Sequence, residues 1–235
     1  MDIFDDLNPA LIQTESISYA EGATGYLAQP KAEGAYPAVI MIHEFWGLND
    51  NIKYMAGLLA QEGYVVLAVD LYGEVAETSD RARELATATR GNQEKATANM
   101  KKAVAYLRTL PNVNSEKIAS MGWCFGGGQS LQLALSGEKV AATVIYYGNL
   151  VNDTQQLSAI SWPVLGIFGA EDTGIPVSSV EAFKQSLNEL GVTNEIHIYP
   201  GVGHAFANPS GARYAPAETK DAWEKTVLFL NKNLR

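Results

Sequence analysis

The feature that most limits what this chain can fold into is an alternation of two periodicities along its length. Short apolar, β-branched runs at 38–42, 64–69, 117–121, 140–147, 164–168 and 195–199 alternate with stretches of helical period. Most of these runs are apolar without a polar face, as strands of a parallel sheet covered on both sides must be. The helical stretches carry single apolar stripes: Ile52, Met55, Ala56 and Leu59; Met100, Val104 and Leu107; Val180, Phe183, Leu187 and Leu190; Trp223, Val227 and Leu230. Boundary residues agree with this reading, since Asn49 or Asp50 can cap the first helix, Pro111 closes the second, Pro176 suits a first turn and Gly191 a C-terminal stop. Segments 16–20 and 25–29 read as a leading hairpin. Strand then helix, repeated, predicts one α/β domain over residues 1–235, with a mostly parallel, doubly wound sheet and helices on both faces. Ligand sites in such a fold lie at the C-terminal ends of the strands.

At 235 residues, with 47% apolar and 18% charged residues, the chain can bury a full core. A formal charge of -9 points away from nucleic acid and anionic membranes as partners. The single cysteine, Cys124, excludes an intrachain disulfide and a thiolate-rich zinc site. Residues 1–10 are acidic and lack a secretory pattern, and no apolar run approaches the ~18 residues of a membrane span. A cytoplasmic location is expected. Only 15 residues, 148–162, join two successive strand runs, which leaves no room for a lid domain. The site should be shallow and favour small substrates, with the helical stretch 79–90 leaning over it.

The run 117–121 leads into Gly122-Trp123-Cys124-Phe125-Gly126-Gly127-Gly128, and an apolar helical segment follows. This is the G-x-S-x-G turn between strand and helix with Cys in place of Ser. So tight a turn crowds the positions two residues away, a steric reason for glycine at 122 and 126. It aims the side chain at the ligand end of the sheet and sets the Phe125 amide at a helix N-terminus, where it can donate to an oxyanion. Helix dipole and amides are expected to lower the Cys124 pKa. The competing reading, a buried inert thiol, is the commoner fate of a lone cysteine, but the strand-to-helix setting favours a nucleophile. A phosphate-binding loop fits less well because the run lacks the G-x-G-x-x-G order.

On this fold the acid and then the histidine follow the nucleophile. His197 lies within an alternating strand and His43 precedes Cys124, whereas His204 follows the last strand in a glycine-rich loop, which makes it the expected base. His43-Glu44 is not a zinc-protease motif, because position 47 is Gly. Glu171 and Asp172 both follow the 164–168 strand, and the shorter Asp172 is the preferred partner for the imidazole. Asp153 and Asp70 read as a loop acid and a strand-end cap. The second oxyanion donor is expected from the loop after residue 42, at the Phe45 amide, with Glu44 placing a carboxylate near the thiol.

Together, His43-Glu44-x-x-Gly47, Asp70-Leu71-Tyr72, Gly122-x-Cys124-x-Gly126-Gly127, Asp172 and Gly203-His204-x-Phe206 resemble the dienelactone hydrolase family, over nearly the whole chain. The resemblance implies a compact, lidless α/β-hydrolase, usually monomeric and without cofactor or metal. It also implies a triad of Cys124, His204 and Asp172, and a glutamate, matched by Glu44, that controls cysteine protonation. Dienelactone hydrolases proper carry an arginine four residues after the histidine, which helps bind the substrate carboxylate and pairs with the glutamate; here that position is Asn208. Arg81, Arg83 or Arg213 would then have to supply the charge. The aromatic residues Phe45, Trp46, Trp123 and Phe206 suggest instead an apolar site suited to neutral esters.

The expected activity is hydrolysis of small esters or lactones by acyl transfer to Cys124, of the carboxymethylenebutenolidase type. A second reading keeps the triad but acts on neutral esters, thioesters or phosphotriesters. A third makes the chain a non-catalytic or redox-sensing binding protein.

Overall fold

The computed structural model describes residues 7–235. The reading of residues 1–10 as a non-secretory start therefore lies largely outside the described residues. Among the described residues, eight strands form one sheet: β1 (Ile12–Ala20), β2 (Ala23–Pro30), β3 (Tyr36–Ile42), β4 (Val65–Val69), β5 (Val113–Trp123), β6 (Ala142–Tyr146), β7 (Val164–Gly169) and β8 (Asn194–Tyr199). Their spatial order is β1-β2-β4-β3-β5-β6-β7-β8. The β1–β2 and β2–β4 pairs are antiparallel and the rest are parallel. The helices are α1 (Asp50–Gln61), α2 (Ser79–Gly91), α3 (Gln93–Thr109), α4 (Phe125–Leu135), α5 (Thr154–Leu157), α6 (Val177–Glu189) and α7 (Pro216–Leu234).

The central strands have no water-facing side. Every residue of β4, β6 and β7 is buried, because α1 and α7 pack on one face of the sheet and α3, α4 and α6 on the other. Burying a side chain such as Ile40 or Ile145 contributes roughly 1.5–3 kcal/mol, which ties the strand ends into a rigid platform. Asn49 caps α1 by accepting from the Ile52 amide. Gly191, at φ 70°, takes the left-handed turn that ends the α6 region.

Several boundaries differ from those read in the sequence. The leading hairpin is longer, and β5 starts at Val113, pairing with Tyr36, although Asn114, Ser115 and Glu116 are exposed and carry no apolar signal. Asn92 divides α2 from α3; it ends the first and caps the second, accepting from the Lys95 amide. The strand run 140–147 narrows to β6 because Tyr147, at φ 33°, turns out of the sheet. The only helix in the connection that follows is the four-residue α5, capped by Asp153.

Candidate active site

The centre of the site is the turn from β5 to α4. Cys124 sits at φ 54° and ψ −114°, a strained conformation for a residue with a side chain. Its amide donates to the Tyr146 carbonyl at 2.9 Å, and its carbonyl accepts from the Gly128 amide at 3.2 Å. A Cβ at Gly122 would stand 2.3 Å from the Gly126 carbonyl oxygen, and one at Gly126 would stand 2.2 Å from that of Ile42. Backbone cannot yield by that much, so these two glycines are what allow the turn to close over β3.

Loops after β7 and β8 bring a carboxylate and an imidazole to the thiol. His204 Nε2 lies 3.0 Å from Cys124 Sγ, and His204 Nδ1 lies 2.7 Å from Asp172 Oδ2. The buried Asp172 carboxylate is held on its other oxygen, which accepts from the Gly174 and Ile175 amides at 2.9 and 3.1 Å. Glu171, the rival acid, is exposed. His43 is buried and stays out of this chain. Its Nδ1–H donates to the Glu44 carbonyl at 2.7 Å and its Nε2 accepts from the Leu71 amide at 3.2 Å, and burial holds its pKa down. His197 lies within β8.

Glu44 is buried beside the thiol. Its Oε2 accepts from Asn208 Nδ2 at 2.6 Å and its Oε1 from the Tyr147 hydroxyl at 3.4 Å. Burial pushes its carboxyl up to about 7, against the pull of the Tyr147 hydrogen bond. Burial and then the Glu44 charge push the Cys124 thiol up to about 12. The expectation of a lowered cysteine pKa is therefore corrected. A hydrogen bond from the Phe125 amide and the Arg90 charge do favour thiolate, but loss of water and a neighbouring carboxylate outweigh them.

The remaining residues singled out in the sequence divide. The Phe125 amide faces the sulfur. Phe45 lies on the loop after β3, its ring 5.4 Å from that of Trp46, and the loop is tied down by the Ala76 amide donating to the Trp46 carbonyl. Asn208 is at the site through Glu44. Trp123 and Phe206 are not on an open wall; both are buried in the core, Trp123 against Tyr146 and Phe206 between Tyr147 and Tyr199. Arg81 is held at the surface by Glu74 and Glu84. Arg213 lines a cavity of about 540 Å³ together with Asp172 and His204. Two residues went unremarked in the sequence. Tyr147 ends a strand run like any core residue, and Arg90 is one charge on an amphipathic helix; neither carries a motif. Among the described residues, no group of three or more His, Cys, Asp or Glu is placed to hold a metal, and no helix is long and apolar enough to cross a membrane.

A mostly parallel sheet with a cysteine on the turn after β5, an acid after β7 and a histidine after β8 has the architecture of an α/β-hydrolase. The dienelactone hydrolase family model matches residues 23–234, and the chain belongs to that family. A Synechocystis protein provisionally named carboxymethylenebutenolidase is 32% identical over 229 residues, covering 90% of this chain and 92% of its own. Protein usf of Aquifex pyrophilus is 33% identical over 217 residues, covering 89% and 93%. Among solved structures, a provisionally assigned dienelactone hydrolase from Klebsiella pneumoniae superposes with TM-score 0.81 at 27% identity, covering 94% of this chain and 99% of its own. The dienelactone hydrolase-like promiscuous phosphotriesterase P91, from metagenomic libraries, superposes with TM-score 0.88 at 23% identity, covering 96% and 100%.

Proposed function

We propose that the chain hydrolyses small esters or lactones by acyl transfer to Cys124, with His204 as base and Asp172 as its orienting partner. The observation that carries this reading is the continuous hydrogen-bonded chain from Asp172 Oδ2 through the imidazole to Cys124 Sγ, at 2.7 and 3.0 Å. As Sγ bonds to the acyl carbon, its proton passes to His204 Nε2 and the carbonyl oxygen becomes an oxyanion. The Phe125 and Phe45 amides are assigned to that oxyanion. His204 then gives its proton to the leaving oxygen, the acyl–oxygen bond breaks, and a thioester remains. Water deprotonated by the same nitrogen attacks the thioester; the sulfur leaves and is reprotonated.

A thiol raised by burial and by the Glu44 charge favours proton transfer to His204 during attack over ionisation before it. Glu44 in this reading sets the thiol's protonation: ionised, it repels thiolate, and protonated, it does not. Asn208 and the surface pairing of Arg81 favour neutral substrates, and leave Arg213, in the cavity beside Asp172 and His204, as the arginine able to meet a carboxylate. Cys124→Ala is expected to cost at least ~10³ in kcat on an aryl ester. Retained turnover in that variant would refute the assignment.

A further inference from the structure

The Tyr72 hydroxyl is buried and has no hydrogen-bond partner. Its ring is wedged against His43, at 4.4 Å between centroids, and against Phe125, at 5.1 Å. Phe125 is the residue whose amide faces the Cys124 sulfur. The groups that act on the phenol electrostatically are the Arg90 guanidinium and Cys124 itself. A buried donor left unpaired costs about 1–3 kcal/mol, and the structure bears that cost next to its reactive turn.

Topology places Tyr72 on the side of the nucleophile away from the base. Tyr72 follows β4, on one side of β5, while Asp172 and His204 follow β7 and β8, on the other. In the proposed reaction the histidine serves the leaving oxygen, so the Tyr72 side is left for the acyl half. A cavity of about 310 Å³ adjoins Tyr72 between the end of β4 and helices α2 and α3, lined also by Leu71, Leu85, Ala88, Thr89 and Asn92. Arg90 lies over the Phe125 ring at 5.5 Å and, among the described residues, makes no ion pair.

We infer that Tyr72 is a specificity-determining residue whose hydroxyl donates to an oxygen on the acyl half of the substrate, so that the site prefers acyl groups bearing an acceptor oxygen near the reacting carbonyl. This rests on the acyl-transfer reading above.

The test uses two nearly isosteric p-nitrophenyl esters, methoxyacetate and butyrate, which differ by an oxygen in place of a methylene, with wild type and Tyr72→Phe. After correction for uncatalysed hydrolysis, Tyr72→Phe should lose ~10-fold in kcat/KM on the methoxyacetate, about the value of one hydrogen bond to a buried partner, and be nearly unchanged on the butyrate. Its Tm should equal or exceed that of wild type, because an unpaired buried hydroxyl has been removed. Equal effects on the two esters, or none on either, would overturn the inference. Cys124→Ala, run alongside, separates the two readings: turnover surviving in it refutes acyl transfer to the cysteine, whereas an unchanged ester preference in Tyr72→Phe refutes only the role of the tyrosine.

Discussion

Asn208 Nδ2 donates to Glu44 Oε2 at 2.6 Å, so the residue four positions beyond His204 meets the buried carboxylate as a neutral amide. Nothing at that contact offsets a charge on Glu44. Its carboxyl is held up at about 7, and when ionised it holds the thiol up as well.

Removing that amide should be costly. Asn208→Ala strips a donor from Glu44 and also the acceptor used by the Ser210 amide and hydroxyl. A loss of about 1–3 kcal/mol is expected, measured by urea unfolding at pH 7.

The Glu44 shift also makes stability depend on pH. Its folded pKa lies above the ordinary carboxylate value, so the neutral form is favoured by folding. The contribution is whole below about 4.5 and is lost as pH rises through about 7. Unfolding free energy should therefore fall between pH 5 and 8, by at most about 3 kcal/mol, and Glu44→Gln should flatten that slope. An identical slope in the variant would show that other groups produce it.

The same substitution should lower the thiol pKa, because the Glu44 charge is the second cause of its rise. Iodoacetamide alkylation of Cys124, followed against pH, should shift its midpoint downward in Glu44→Gln. A midpoint that stays in place would remove Glu44 from control of the sulfur.

Asp172→Asn keeps an oxygen for the Gly174 and Ile175 amides but takes away the acceptor that fixes the His204 tautomer. Loss of up to ~10⁴ in kcat with little change in Tm is expected. Full activity in the variant would contradict the orienting role.

Two glycines should respond in opposite directions. Gly126→Ala drives a methyl into the Ile42 and His43 carbonyls and should destabilise by more than ~3 kcal/mol or prevent folding. At Gly91, in the last turn of α2, an added methyl meets nothing within 4 Å, so Gly91→Ala should stabilise by ~0.5–1 kcal/mol. Calorimetry of the pair reads both.

The sequence by itself determined the order of strands and helices, the glycines that frame Cys124, and the succession Cys124, Asp172, His204. Each follows from local patterns: apolar period, turn sterics, and the chain order that an α/β sheet imposes on loops at one end. Only the tertiary structure decided what surrounds the sulfur. Whether an aromatic lines a site or fills a core depends on which side of a turn it faces, so Trp123 and Phe206 are buried in the core while Tyr147 lies against Glu44 and His204. The state of the thiol lay equally beyond reach of the sequence, because helix dipole and amide are local but burial and the Glu44 charge come from elements 80 residues apart, and those govern Cys124.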